Sequence, residues 1–386
     1  MADTDRSRLA DIIRNRIDTD TFVGKYNASI RKKLIFIVLM ILVSSVAILA
    51  SICFGSVDIP PIDLFKVFFH PLIPGLVDAP SEDYYSNFVF NGRLPRAVFV
   101  ILTGFALGVA GMMMQALLRN PLVSPFTLGV STAASFGAAL AILLGNIIFG
   151  VSLMNYTFVL ADSVFTFGNL VRVLFAFVAA LASIVIVLSL SKGNNSRSLV
   201  ILAGVVISYL FQAGIMASKY FSDDDQLREI TLWIMGSMAN ASWGADLIIG
   251  VVVVLCTILL FMDSMDLNAL SAGDDVASSL GVDINKLRVR GLLLCTLMAS
   301  VCIAFTGVIG FIGLMAPHLC RMIIGNDARY LLPAAGLMGV VVLSISDLFC
   351  RLVIRPGELP TGIILYVIGG AFFIWMVASR KWGSKE

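Results

Sequence analysis

The side chains with the clearest capacity for chemistry are charged residues inside or at the ends of long apolar runs. Arg93, Arg96, Arg351 and Arg355 stand at the ends of such runs, where a guanidinium group can bind a carboxylate through two parallel hydrogen bonds. Asp347 lies within a run, where an isolated charge costs about 2.5 to 3.5 kcal/mol in a membrane. Because Arg351 follows one helical turn later, the spacing favours an ion pair that fixes the helix over a transport role for the carboxylate.

A second group of polar residues lies between two apolar runs, in the segment 263–290. Connections in helical bundles usually take about 2 to 8 residues, so a segment of this length is expected to fold. The stretch SAGDDVASSLG predicts a short helix that Ser271 caps and Gly281 ends. Asp274 and Asp275 suit the positive end of the helix dipole. The apolar residues of this helix favour a docking element for a partner protein over a solvated loop.

The motifs of common enzyme chemistry are missing from the sequence. There is no G-x-x-x-x-G-K-[ST] loop for ATP, no H-E-x-x-H, no G-x-S-x-G and no C-x-x-C-H. The 6 cysteines lie in or beside apolar runs without C-x-x-C spacing, and the chain has only 2 histidines, so the cysteines are interpreted as packing residues. We therefore expect no catalytic residue, no metal site and no cofactor bound by this chain.

Composition places these residues in a membrane protein. Of the 386 residues, 59% are hydrophobic and 13% are charged, with a mean hydropathy of +0.95. Soluble domains carry about 25% charged residues, which excludes a soluble enzyme. A spanning helix needs about 20 apolar residues, and the sequence predicts an all-α polytopic protein. Its ten transmembrane helices are placed at Leu34–Phe54, Leu94–Leu118, Pro125–Leu144, Leu170–Leu190, Ser198–Lys219, Gly244–Met262, Leu287–Thr306, Phe311–Ile324, Tyr330–Leu352 and Thr361–Ser379.

The distribution of Lys and Arg predicts the orientation. Positive charge near span ends is biased to the cytoplasmic side, and a cytoplasmic N-terminus puts most of the 27 Lys and Arg residues there. An extra crossing in the apolar segment 146–169 would move Lys192 and Arg197 outside, so we interpret that segment as a cap on the outer surface. The expected organisation is a cytoplasmic tail at 1–33, a transmembrane domain at 34–380 with external loops at 55–93 and 146–169 and a cytoplasmic loop at 263–290, and a cytoplasmic C-terminus at 381–386.

Glycines at helical spacing predict close packing between helices. Small residues let two backbones approach each other, and such faces are common in membrane bundles. Two sets stand out, namely Gly104, Gly108, Gly111 and Gly307, Gly310, Gly313.

Eight stretches together resemble the membrane subunits of ABC importers for iron chelates, haem and cobalamin, the FecCD type of permease in type II importers. They occur in the family's order over about residues 34–380. The stretches are RLPR at 93–96, GFALGVAGMMMQALLRNPLVSPFTLG at 104–129, LAGV at 202–205, WIMGS at 233–237, GDDVASSLGV at 273–282, GVIGFIGLMAPHLCR at 307–321, SDLFCR at 346–351 and ELPTGI at 358–363.

The resemblance implies ten helices per chain, a dimer with a second permease chain, two copies of a separate ATPase that binds ATP and Mg²⁺, and an external substrate-binding protein. It places binding-protein docking on Arg93, Arg96 and Arg351, with Arg355 only a neighbour. It places coupling to the ATPase on the short helix, at Gly273, Asp274, Asp275, Ala277, Leu280 and Gly281. It implies membrane lipid as surroundings and no nucleic-acid partner.

The resemblance also implies a cytoplasmic gate at Asn120 and Leu122, with a second gate segment at Ser196 and Ser198, where the match is poor. Phe126 departs from the family, which often has an acidic residue at this position. The implied function is a permease that takes up an iron(III)-siderophore type of chelate, with cobalamin, haem or molybdate and tungstate as alternatives. An ion-coupled secondary carrier is the rival from another class, and it predicts intramembrane carboxylates and inverted repeats. A membrane anchor without transport has no use for the docking helix.

Overall fold

A computed structural model describes residues 19–55, 57–160, 163–191 and 197–378. Within these ranges the chain is mostly helical, with the short π-helical turn Val89–Arg93 leading into α4. The helices are α1 (Thr19–Cys53), α2 (Pro61–Phe69), α3 (Tyr84–Phe88), α4 (Leu94–Leu118), α5 (Val130–Phe149), α6 (Val151–Met154), α7 (Phe167–Leu190), α8 (Arg197–Tyr220), α9 (Asp224–Met235), α10 (Trp243–Met262), α11 (Ser264–Ser271), α12 (Asp274–Ser279), α13 (Ile284–Thr306), α14 (Ile312–Ile324), α15 (Ala328–Val353) and α16 (Thr361–Ala378).

Eight helical stretches of the described chain are long and apolar enough to cross a membrane. They contain α1, α4, α5, α7, α8, α10, α13 and α15. Two shorter apolar helices, Ile312–Ile324 and Thr361–Met376, stand where the eighth and tenth spans were expected. At 1.5 Å per residue, the 13 residues of α14 cover about 20 Å of a hydrocarbon core about 30 Å thick.

Helix α4 lies at the centre of the bundle, between α13, α14 and α15. In the most apolar 18-residue segment of this helix, 78% of the residues are buried, whereas the share is 28% in the corresponding segments of α1, α7 and α8. The predicted packing role of the α4 glycines is confirmed, because a side chain at Gly104 or Gly108 would collide with the backbone of α15. Gly111 faces the backbone of Gly313 in the same way. These contacts bring three helices together without intervening side chains.

Helices α1 and α15 run in the same direction, which defines two ends of the bundle. Lys33 of α1 bonds to Asp327, just before α15 begins, and Ser51 near the end of α1 bonds to Arg351 near the end of α15. We call the end with Arg351 the arginine end. Asp274 lies at the opposite end, which we call the α12 end, where Arg288 contacts both Asp274 and the carbonyl of Leu117 at the end of α4.

The segment 146–169 corrects the expectation of a purely α-helical chain. It contains the end of α5, the short helix α6 and an antiparallel hairpin of β1 (Thr157–Leu160) and β2 (Ser163–Thr166). The pairing register is Thr157↔Thr166 and Phe158↔Phe165, and the two phenylalanine rings stack 6.1 Å apart. Alternating β-branched and aromatic residues favour strands. Elements of four residues are too short to cross a membrane.

Helix α9 was not anticipated from the sequence. Asp223 caps it, and Gln226 completes a capping box by bonding back to the Asp223 backbone. Its charged residues make its hydropathy too low for a membrane span to be predicted there. The WIMGS stretch ends this helix at Gly236, whose positive φ of 67° and close contact with the carbonyl of Val308 admit no larger residue.

Candidate functional site

The arginine end gathers charged residues from four parts of the chain around Asp347. Arg93 closes the π-helical turn, Arg96 lies in the first turn of α4, and Arg351 lies in the last turn of α15. Glu358 lies in the connection between α15 and α16. We call these five residues the arginine cluster.

Asp347 joins two arginines inside the protein, where its side chain has 0% exposure. Nε of Arg351 donates to Oδ2 of Asp347 at 3.1 Å, which confirms the predicted i,i+4 pair. Arg96 is a second partner that the sequence did not reveal, and its Nη2 donates to Oδ1 at 2.8 Å. A buried carboxylate is costly without such compensation, and here both oxygens are satisfied.

Arg93 and Arg351 bind the carboxyl-terminal end of α1. Nη1 of Arg351 donates to the carbonyl oxygens of Ser51 at 3.0 Å and Phe54 at 3.1 Å. Arg93 donates to the same two carbonyls and, through Nη2, to that of Val57 at 2.6 Å. Carbonyls at a helix end lack intrahelical partners and carry the negative end of the dipole, so cations stabilise them. Both guanidinium groups are therefore buried and act within the protein.

Two arginine–carboxylate pairs of this end reach solvent. Nη1 of Arg96 donates to both oxygens of Glu358, at 2.9 and 2.8 Å. Arg355 donates to both oxygens of Asp58, at 2.9 and 3.0 Å, and these hydrogen bonds lower the pKa of the Asp58 carboxyl. Of the three arginines that the resemblance assigns to docking, Arg96 is thus the one whose partner carboxylate is exposed.

At the opposite end, α12 has the predicted helix at Asp274–Ser279 with a different cap. Gly273 occupies the N-cap position with a φ of 132°, whereas the Ser271 hydroxyl donates to the Asn268 carbonyl and belongs to α11. The expectation that Ser271 caps α12 is therefore wrong, because α11 extends to it. Gly281 follows the helix with a positive φ of 85°.

One side of α12 packs inward and another faces out. Ala277 is buried against the bundle, and Asp275 is exposed. Val276 is 45% exposed and Leu280 is 69% exposed. Exposed apolar residues on a folded helix between two spans suit contact with another protein.

The carboxylate of Asp274 lies close to three arginines from different parts of the chain. Its Oδ1 lies 2.6 Å from Nη2 of Arg197 and 3.8 Å from Nη1 of Arg119, and its Oδ2 lies 3.4 Å from Nη2 of Arg288. Arg197 first, then Arg288, lowers the pKa of the Asp274 carboxyl. Nε of Arg288 also donates to the carbonyl of Leu117 at 3.3 Å. The helix is tied to α4, α8 and α13 through one carboxylate.

The residues expected to form the cytoplasmic gate lie beside this network. Asn120 follows Arg119, and its Oδ1 accepts a hydrogen bond from the backbone N–H of Leu122 at 2.9 Å. Ser198 is exposed in the first turn of α8, next to Arg197. Ser196 lies outside the described residues.

Aromatic rings gather where the connection between α4 and α5 meets the start of α14 and the helix α16. The ring of Tyr366 lies 6.1 Å from that of Phe126 and 5.7 Å from that of Phe311. Phe311 has a left-handed backbone with a φ of 65°, at the start of α14. Phe126 thus contributes an aromatic face to this group of rings.

A cavity of about 280 Å³ lies behind the β-hairpin and was not anticipated. Aromatic residues of the hairpin and of α9 line one part, including Phe158 and Trp233. The other part is polar, with Asn240 and with Arg172, which forms an ion pair with Glu229.

Comparison with known proteins agrees with this architecture. The chain matches the FecCD transport family over residues 39–379. A protein of Methanocaldococcus jannaschii named as an ABC transporter permease is 36% identical over 354 residues, which cover 92% of this chain and 97% of the relative. The hemin transport system permease of Yersinia pestis is 35% identical, covering 79% and 87%. The vitamin B12 import system permease of Vibrio vulnificus is 33% identical, covering 84% and 87%.

A solved structure has the same fold. It is described as a metal-chelate type ABC transporter in an inward-facing conformation. Its TM-score is 0.74 at 26% sequence identity, and the alignment covers 89% of this chain and 98% of the other.

Proposed function

The chain belongs to the FecCD transport family, and from this premise we propose that it forms the translocation pathway of an ATP-driven importer for an iron(III)-siderophore type of chelate. The chain is an ABC importer permease for substrates of the metal-chelate, haem or cobalamin type. It is a transport subunit and not an enzyme, and ATP is hydrolysed by a separate subunit. ATP and Mg²⁺ would be bound there and not by this chain.

The proposed assembly has two copies of this chain in the cell membrane, each with ten spans. The short apolar helices α14 and α16 would supply the eighth and tenth. An even number of spans puts both termini on one side, and the Lys and Arg bias makes that side cytoplasmic. The arginine end would then face outward and the α12 end would face the ATPase.

The observation that carries the proposal is the structure around α12. The six-residue helix exposes Val276, and Leu280 is exposed directly after it. Asp274 binds three arginines, which lie at the ends of three other helices. A partner that moved this helix would therefore move the ends of α4, α8 and α13 with it. We propose that the ATPase docks on α12 and that its closure reaches the gate at Asn120, Leu122, Ser196 and Ser198 by this route.

The external binding protein would dock at the arginine end. Arg96 is the proposed contact, because an acidic side chain can approach it where Glu358 reaches solvent. Arg93 and Arg351 are buried next to this docking surface and stabilise it by binding the end of α1. Charge-assisted contacts between arginine and carboxylate suit this kind of recognition.

Iron chelates are proposed as substrate because they are the most frequent cargo of the family, and the aromatic rings of Phe126, Phe311 and Tyr366 offer apolar contact to a bulky chelate. The test is uptake into liposomes that hold this permease, its ATPase and its binding protein. A ferric hydroxamate, haem, cyanocobalamin and molybdate are compared with and without ATP. ATP-dependent uptake of cyanocobalamin alone would replace the siderophore proposal, and uptake driven by a proton or sodium gradient without the ATPase would overturn the importer class.

A further inference from the structure

The guanidinium group of Arg96 is already occupied on its two binding edges. Its Nε and Nη2 face the carboxylate of Asp347, at 3.2 to 3.3 Å and 2.8 Å. Its Nη1 donates to both oxygens of Glu358, at 2.9 and 2.8 Å. A guanidinium has five N–H donors in a planar fork, so a third carboxylate cannot form a bidentate contact while both partners stay in place.

The two carboxylates differ in how firmly they are held. Asp347 has a side-chain exposure of 0% and also binds Arg351, so removing it from Arg96 would leave a buried charge partly unpaired. The Glu358 side chain is 32% exposed, and across the described ranges Arg96 is the single ion-pair partner recorded for it. Exposed ion pairs are worth little individually, so Glu358 can be exchanged at small cost.

The position of Glu358 also suits exchange. It lies outside the helices, in the connection 354–360, which is tied back to α15 where the N–H of Leu359 donates to the carbonyl of Cys350 at 3.2 Å. The side chain of Glu358 can therefore leave Arg96 while its backbone stays anchored. The neighbouring exposed pair of Arg355 and Asp58 repeats the arrangement of an arginine with an accessible carboxylate.

We propose that Glu358 is an internal substitute for the docking carboxylate. It occupies Arg96 in the free permease, and an acidic side chain of the substrate-binding protein replaces it on docking. The inference rests on the proposed docking at Arg96 and adds a residue that limits its affinity. One ion pair of the free state is exchanged for one of the complex, so the net gain from the docking contact is smaller than that of a new ion pair.

The experiment measures binding of the transporter's own substrate-binding protein to the complete permease–ATPase complex in nanodiscs. Glu358→Gln removes the competing charge and is expected to tighten binding about two- to fivefold, the range that an exposed ion pair represents. Glu358→Ala, which leaves no amide to bond to Arg96, should tighten it likewise. Asp78→Asn is the matched control, because Asp78 is an exposed carboxylate of the loop 55–93 that forms no ion pair within the described part of the chain. It should leave binding unchanged.

Arg96→Gln separates this inference from the proposed docking. If Arg96→Gln weakens binding and both Glu358 variants tighten it, the exchange is supported. If Arg96→Gln weakens binding and the Glu358 variants weaken it too, Glu358 positions Arg96 and the exchange is wrong while docking stands. Equal tightening by Asp78→Asn would assign the effect to long-range charge. No effect of Arg96→Gln would remove the docking proposal itself, and melting curves of each complex confirm that the variants are folded.

Discussion

Asp274 and Arg197 form an ion pair of 2.6 Å that joins α12 to the first turn of α8. The same carboxylate lies 3.8 Å from Arg119, which precedes Asn120. One side chain of the proposed ATPase-docking helix therefore contacts residues adjacent to both expected gate segments. This ion pair can transmit a movement of α12 only if α8 moves together with it.

Asp274→Asn is predicted to uncouple ATP hydrolysis from uptake. Without the charge, α12 loses its ties to Arg197 and Arg288, so motion of the ATPase should reach the gate less efficiently. A coupling free energy of the usual size corresponds to a loss of about fivefold or more in substrate imported per ATP. The measurement is uptake and ATPase activity in the same liposomes. Asp275→Asn is the control, since Asp275 carries the same charge in the same helical turn but is exposed and forms no ion pair with the residues that the structure describes. A parallel loss in both variants would contradict a specific role for Asp274.

Two of the buried carboxylates, Asp347 and Asp246, are predicted to respond to substitution in opposite directions. Asp347 is paired with Arg96 and Arg351, so Asp347→Leu leaves buried guanidinium charge and should cost about 3 to 5 kcal/mol of stability. Asp246, in the first turn of α10, is 5% exposed, and both of its carboxylate oxygens are buried without a hydrogen bond to any residue that the structure describes. Asp246→Leu should therefore raise the melting temperature in detergent. A lower melting temperature for Asp246→Leu would show that this carboxylate has a partner in the assembled transporter, and loss of uptake at unchanged stability would show a transport role.

The sequence indicated the Asp347–Arg351 pair, α12 and the glycine contacts of α4, because each depends on residues close in sequence or on a periodic pattern. It could not indicate that Arg96 also binds Asp347, since 251 positions separate them and only the packing of α4 against α15 brings them together. Glu358 was part of a recognised stretch but had no assigned role for the same reason. Helix α9 was not predicted, because its charged first turn lowers its hydropathy below that of a membrane span. The β-hairpin was not predicted, because its apolar strands are interpreted from the sequence as a surface cap.

Gly108 is predicted to be among the least tolerant positions of the bundle. A side chain there would meet the backbone carbonyl of Ala335 in α15, and backbone cannot move aside as a flexible side chain can. Gly108→Val should cost more than the 1 to 3 kcal/mol typical of overpacking and should reduce the yield of monodisperse protein. Gly92→Val is the control, because a side chain at Gly92 meets nothing within 4 Å. Equal behaviour of the two variants on a sizing column would mean that α4 and α15 are farther apart than described here.

Asp327 is predicted to make the stability of the α12 end depend on pH. It accepts hydrogen bonds from Arg329, Asn268 and Lys33, and these lower its pKa well below the ordinary value of about 3.9. A carboxyl with a lowered folded-state pKa contributes stability that is fully present above its unfolded pKa and is lost as the pH falls through the folded value. Asp327→Asn should therefore lower the melting temperature at pH 7. The difference from the unsubstituted protein should shrink steadily below about pH 4, as Asp327 becomes protonated on unfolding. A difference that stayed constant from pH 7 to pH 3 would show that Asp327 stabilises this end through packing and not through its charge.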